Sequence, residues 1–341
     1  MWYNTDIRKT GQERLRNRTA AGGLTGCRGG TLFFVSVTLL YVRQYRKQLS
    51  LEYETAGGKD RILRKIGMNL GAYPEMDRKE DIAYLKWAGF DATFVYYFHR
   101  EDAKLIRQTA EWLDAAGITL DTIHAPFWGV NGLWRDGEEA EKYFAELQDS
   151  ILLASECRVP TVVMHLSSGD HPPYLNEKGF SRIDLLVQSA RDKGIRVAFE
   201  NQRKIANLAY VMERYENDPA VGFCWDVGHE KCLSGGWEYM PMFGDRLAAL
   251  HIHDNPCRHN EDLHMIPGDG IIDYRRMAEL IRESGYTGTL MLELMEKPSG
   301  KYDGLTPEEY YSRAYAAAVR LWTLTDGERE SGRPSPDLPE T

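Results

Sequence analysis

The chain has 341 residues, 42 Lys and Arg against 51 Asp and Glu, a net charge of −9 and a pI of about 5.6. That length can bury one large α/β domain or two smaller ones, and the acidic balance argues against a non-specific nucleic-acid binder. The five cysteines (Cys27, Cys157, Cys224, Cys232, Cys257) are odd in number, scattered and form no C-x-x-C pair, which excludes a disulfide framework and points to reduced thiols in a cytoplasmic protein.

Residues 1–62 read as an extension: a basic stretch (RKTGQERLRNR), a glycine-rich breaker (GGLTGCRGG) and an apolar segment at 31–42 (TLFFVSVTLLYV). Such a segment is shorter than the about 20 residues of a membrane-spanning helix, and no A-x-A cleavage site follows it. A poorly ordered extension or a weak membrane-surface anchor is expected. From residue 63 to 325, short apolar runs alternate about eight times with amphipathic stretches. The runs are KIGMNL, ATFVYYF, ITLDTIHAPF, TVVMHL, IRVAFE, VGFCWD, LAALHIH and GTLMLEL, and the stretches include DRKEDIAYLKWAGF and REDAKLIRQTAEWLDAAG. Near-continuous apolar strands, each followed by a helix, predict a parallel sheet buried on both faces. The phrases AGF, AGI, KGI and SGY are the glycine punctuation of helix-to-strand loops. Eight such units match a (β/α)8 TIM barrel, typically about 250 residues. A doubly wound open sheet is the other candidate, but no G-x-G-x-x-G follows the first strand and no Walker sequence is present. The Pro-rich, charged residues 326–341 are predicted to be a disordered tail.

Active-site residues of such a barrel stand at the C-terminal ends of its strands. Six of the eight runs carry Asp, Glu or His there: His124, His165, Glu200, Asp226, His251 and Glu293. Any one alone reads as a helix cap or a satisfied loop residue. Together they would crowd carboxylates in a low-dielectric pocket, which is costly without a counter-charge. A divalent cation (Mn²⁺, Zn²⁺, Co²⁺ or Mg²⁺) resolves that, and no cysteine at these ends suggests a structural zinc. His229 follows Asp226 by three residues, and Asp262 and His264 form a D-x-H pair in the His-rich stretch 250–270. In that stretch His253 is expected behind the centre or against substrate, and His259 at the surface. His99 and His171 are expected to be rim or structural residues. Phe127, Trp128 and Trp134, after the third strand, suit stacking on the apolar face of a sugar or polyol, or ordinary loop packing.

In their order and spacing, IHAPFWGVN, VVMHLSSGD, VAFENQ, GFCWDVGH, LHIHDN, DLHMIPGDGIIDY and LMLEL resemble the xylose isomerase-like TIM barrel superfamily, over essentially all of residues 64–325. That group contains sugar-phosphate isomerases and epimerases and the three-zinc apurinic-site endonucleases. The epimerase likeness implies one metal on Glu200, Asp226, His251 and Glu293, with His229 and Arg258 touching substrate. The endonuclease likeness implies additional ligands at His124, His165, His229, Asp262 and His264, all of them filled by ligand-type residues here. The acidic chain, Glu261 and Asp262 near the path of a phosphate backbone, and the departures GFCWDVGHEKCLSGGWEY and VAFENQRKIANL oppose the nuclease reading.

The favoured expectation is a metal-dependent isomerase or epimerase of a small sugar, sugar phosphate or cyclitol. Glu200 and Glu293 would move a proton next to a carbonyl through a metal-stabilised enediolate, and His229 would stabilise the oxyanion, with His253, Arg258 and Trp128 at the substrate. A keto-inositol dehydratase is chemically adjacent. The alternatives are a zinc-dependent apurinic-site endonuclease and a barrel that binds without catalysing. The expected partner is a small carbohydrate; nucleic acid and a membrane span are not expected, and a homo-oligomer is left open.

Overall fold

A computed structural model describes residues 42–44, 46–47 and 64–326. Eight parallel strands follow in chain order: β1 (Ile66–Met68), β2 (Ala92–Tyr96), β3 (Thr119–His124), β4 (Thr161–Met164), β5 (Arg196–Glu200), β6 (Val221–Asp226), β7 (Leu247–His251) and β8 (Leu290–Leu292). Consecutive strands from β1 to β7 pair side by side, β1 also pairs with β8, and an isolated parallel bridge from Ile252, just after β7, to Leu292 of β8 links the two ends. The sheet closes into the expected (β/α)8 barrel.

Within residues 64–326 the helices are α1 (Arg78–Ala88), α2 (Asp102–Ala116), α3 (Glu138–Glu156), α4 (Glu177–Lys193), α5 (Ile205–Arg214), α6 (Val227–Cys232), α7 (Met240–Phe243), α8 (Tyr274–Ser284) and α9 (Pro307–Asp326), besides short 3₁₀ turns such as Val130–Trp134. Their starts are chemically marked: Asp77, Asn176 and Asp273 accept first-turn amides of α1, α4 and α8. Their stops are the glycines of AGF, AGI, KGI and SGY. Gly89, Gly117, Gly194 and Gly285 adopt left-handed φ of 110°, 69°, 65° and 71° and turn the chain into the next strand.

Strand alternation sorts the side chains. Val162, Phe199, Trp225, Leu250 and Leu292 join the main core against the helices, whereas Val163, Ala198, Cys224 and Ala249 form a separate cluster inside the barrel. In the same phase Tyr96, His124, His165, Glu200, Asp226, His251 and Glu293 face inward at the C-terminal mouth.

The few described residues of the 1–62 stretch lie against the barrel. Residues 42–44 and 46–47 are helical, Val42 is buried in the core, Arg43 Nε donates to Ala88 O at 3.1 Å, and Arg46 Nη2 pairs with Asp91 Oδ2 at 2.6 Å. Asp91 supplies that anchor from the entrance of β2, a partner 45 residues away that local patterning does not reveal. The rest of 1–62 and the tail beyond 326 lie outside the described residues. Among the described residues no helix is long and apolar enough to cross a membrane.

Candidate metal centre at the barrel mouth

Glu200, Asp226 and His251 end β5, β6 and β7, and Glu293 follows β8. The four are buried, and one ligand-type atom from each lies within 4.8 Å of the others. Every carboxylate here is held by one oxygen and bare at the other. Asp226 Oδ1 caps α6 by accepting the His229 N–H at 2.6 Å and stands 3.1 Å from His253 Nε2, while Oδ2 has no hydrogen-bond partner. Glu293 Oε1 accepts the Tyr96 hydroxyl at 2.7 Å, and Oε2 has none. Glu200 Oε2 is 3.1 Å from both His124 Nε2 and His165 Nε2. Its Oε1 is 3.0 Å from His229 Nδ1 but not in hydrogen-bond geometry, and neither ring nitrogen of His251 makes a hydrogen bond among the described residues, Nδ1 standing 3.3 Å from Glu293 Oε2. A buried polar atom left unpaired costs about 1–3 kcal/mol, so several converging on one point are what a cation would satisfy. The mixed carboxylate and imidazole donors fit Mn²⁺, Zn²⁺, Co²⁺ or Mg²⁺.

Further groups adjoin this one, among them His124, His165 and Glu200, and His229, His253, Asp262 and His264. His124 Nδ1 lies 2.8 Å from Ala125 O, and His264 Nδ1 lies 3.0 Å from Glu293 O. A carbonyl only accepts, so Nδ1 carries a hydrogen in each ring, and Nε2, which faces Glu200 or Asp262, is the atom a cation would take by displacing any proton there. The loop bearing Asp262 is stapled by Asp254, whose backbone exchanges two 2.8 Å bonds with Met265 and whose carboxylate accepts the amides of Asn255, Gly268 and Ile272. His264 sits at a left-handed φ of 46°, uncommon outside glycine, with Nε2 3.4 Å from Asp262 Oδ2.

Burial opposes ionisation of Glu200, but the imidazoles of His165 and His251 outweigh it and hold the carboxylate well below its usual range. Burial likewise opposes ionisation of Asp262, and His264 and His229 overcome it. Conversely, burial would lower His229, yet Asp226 and Asp262 push it well up. Asp262 raises His264 against burial to about 9. Imidazole protons thus balance the carboxylates, and a cation would compete with them.

The structure brings together Glu200, Asp226, His251, Glu293, His229, His124, His165, Asp262 and His264. His253 is fully buried behind the centre, stacked on His264 at 4.0 Å, from where it holds Asp226. Trp128 is half exposed at the rim, against Phe127, which packs on His124 and His165. Arg258 is exposed and pairs with Glu261. Trp134 is not at the mouth: it is buried, donates Nε1 to Leu166 O at 2.6 Å and lies over Gly179. His99, His171 and His259 are exposed. Sequence reasoning missed two residues. Tyr96 ends β2 in the inward phase, and Gln202, two residues after Glu200, reaches His229 Nδ1 at 3.0 Å and His165 Nε2 at 3.3 Å. Strand alternation carried past Glu, Asp and His to other polar types would have found Tyr96.

Fold and site together define a TIM barrel with a candidate metal centre at its C-terminal mouth. The chain belongs to the xylose isomerase-like TIM barrel family, whose sequence profile matches residues 82–317. It is 30% identical over 198 residues to the uncharacterized protein y4fM of Sinorhizobium fredii, covering 54% of this chain and 61% of that one. The match therefore spans about three-fifths of that relative's length. It is 21% identical over 273 residues to the inosose dehydratase of Lacticaseibacillus casei, covering 69% of this chain and 89% of the relative. Among solved structures, the IOLI protein with a binding zinc atom has a TM-score of 0.63 at 19% identity, covering 76% of this chain and 98% of the other. D-psicose 3-epimerase from Clostridium cellulolyticum H10 has a TM-score of 0.61 at 16% identity, covering 76% and 99%. At these identities the solved structures establish the fold.

Proposed function

We propose that the chain is a divalent-metal-dependent enzyme that isomerises or epimerises a small sugar, sugar phosphate or cyclitol by moving a proton next to a carbonyl. The carrying observation is the cluster of Glu200, Asp226, His251 and Glu293, three of them carboxylates with one bound and one bare oxygen. Similar proteins named for inosose and D-psicose support a small polyhydroxylated substrate, and the zinc of another supports a metal. Glu200, Asp226, His251 and Glu293 would hold the cation. When bound, it supplies Lewis-acid polarisation of the carbonyl and so acidifies the adjacent C–H.

The chain's own groups do the rest. Glu200 on β5 and Glu293 beyond β8 approach the pocket from different walls, so one carboxylate can remove a proton and the other, or the same one, return it. A proton on Glu200 Oε2 has His165 Nε2 3.1 Å away as a neighbour through which it can leave. His229, kept cationic by Asp226 and Asp262, places positive charge beside a developing oxyanion. Phe127 and Trp128 offer an apolar wall to ring C–H groups.

Metal analysis of the purified protein should give about one tightly held divalent ion per chain, and a panel of ketoses and inososes in D₂O should reveal C–H exchange. Glu200→Gln and Glu293→Gln should each lower turnover by about 100-fold or more. Turnover retained in either variant removes the two-carboxylate scheme.

One observation favours a second reading. The further groups adjoin the first, which shares Glu200 with the His124 and His165 group, as a multi-metal zinc phosphodiesterase of the apurinic-site endonuclease kind would require. Two or three zinc ions per chain with cleavage of an abasic duplex, and no C–H exchange, would put that reading first.

A further inference from the structure

Tyr96 ends β2, and Glu293 follows β8; β1 lies between those strands in the sheet. The hydrogen bond from the Tyr96 hydroxyl to Glu293 Oε1, 2.7 Å long, therefore reaches across the inside of the mouth past a whole strand. The Tyr96 ring has little freedom to leave. It stacks on Phe98 at 5.5 Å and 7°, meets Phe94 edge-on at 5.1 Å, lies tilted on His124 at 5.4 Å, and has Phe127 at 6.4 Å. Glu293 Oε2, in contrast, is buried, unpaired and 3.3 Å from His251 Nδ1.

We infer that Tyr96 is a positioning residue that makes Glu293 a one-oxygen donor, holding Oε1 back so that only Oε2 is offered to a cation. The inference rests on the metal centre proposed above. Hydrogen bonds to the far side of a ligand group fix its orientation, and their loss typically costs about 10- to 100-fold in metal affinity. Here the consequence is also one of count. A carboxylate that closes on a cation with both oxygens takes two coordination positions; with Oε1 committed to the phenol it takes one, and a position stays open for a substrate oxygen. The phenol thus keeps the centre chemically open without touching the cation.

The test uses the full chain, with zinc and cobalt as probes. Tyr96→Phe removes one hydroxyl from a ring already packed among phenylalanines. Tyr97→Phe is the control: the residue just after β2, in the main core, with a buried hydroxyl that has no hydrogen-bond partner among the described residues. Tyr97→Phe should match wild type. Tyr96→Phe should bind Zn²⁺ about 10-fold more weakly, and the visible absorption bands of its Co²⁺ form should lose intensity as the coordination number rises. In a double-mutant cycle the effect of Tyr96→Phe should vanish in a Glu293→Gln background, because the two act as a unit. A Tyr96→Phe protein with the wild-type cobalt spectrum and zinc affinity overturns the inference alone. So does an equal loss in both backgrounds. A wild-type chain that takes up neither ion overturns the metal centre, and this inference with it.

Discussion

A methyl group at Gly228 would sit 2.0 Å from Cε1 of His253, because that ring fills the space beside the glycine and presents Nε2 to Asp226 Oδ1 at 3.1 Å. The His229 amide holds the same oxygen, so Oδ2 is the atom left for the centre. Gly228→Ala must displace His253 or distort α6. It should lower the melting temperature and weaken zinc binding about 10-fold or more in a calorimetric titration. Unchanged zinc affinity would separate His253 from the centre. Residues of this site differ in how far the sequence exposes them, and the reason is residue type. Glu200 and Glu293 are conspicuous because a glutamate at the end of an apolar strand is disfavoured unless it has a task. Tyr96 and Gln202 are not, since a tyrosine at a strand end or a glutamine in a loop is unremarkable until its hydrogen-bond partner is seen.

At the scale of elements, helix stops were legible because a glycine in a left-handed conformation is a local requirement of the chain. The 3₁₀ turn Val130–Trp134 was not, because its support is distant. Arg182 Nη1, on α4, donates to the carbonyls of Gly132, Leu133 and Arg135 at 2.9, 2.7 and 2.9 Å, and the Trp134 ring then packs against Gly179. No local pattern announces an arginine about 50 residues away, so Trp134 could be read as a stacking residue when it is a wedge between turn and helix. A Cβ at position 179 would meet Trp134 Cε3 at 2.0 Å. Gly179→Ala should therefore destabilise the fold by about 1–3 kcal/mol, the usual range for overpacking, despite its better helix propensity. Urea unfolding would show the shift, and zinc affinity should stay at the wild-type value because the wedge touches none of the ligands. A Gly179→Ala protein as stable as wild type would mean that α4 slides freely on the turn.

At the scale of the whole molecule, a barrel holds only if its last unit meets its first. β1 and β8 pair over three residues, Arg64 Nε meets Asp326 Oδ2 at 2.8 Å, and Tyr84 on α1 donates to Glu308 on α9 at 2.8 Å. The buried centre of this seam is Asp81 on α1, which accepts the Gly71 amide at 2.7 Å and the hydroxyl of Tyr311 on α9. Burial drives its pKa up from 3.8 to about 6, against the opposing pull of the Tyr311 and Gly71 bonds and the charge of Arg78. The folded chain thus holds this proton more tightly than the unfolded chain does. The resulting stability is fully present below about pH 4 and is lost as pH rises through about 6. Asp81→Asn retains an acceptor for Gly71 and a polar partner for Tyr311 but cannot ionise. Wild type should accordingly lose about 1 kcal/mol relative to Asp81→Asn between pH 5 and 7. Urea unfolding of both proteins across that window, with chelator present so that metal binding does not contribute, measures the difference. Parallel pH curves would show that Asp81 does not titrate at the seam and that closure is independent of its proton.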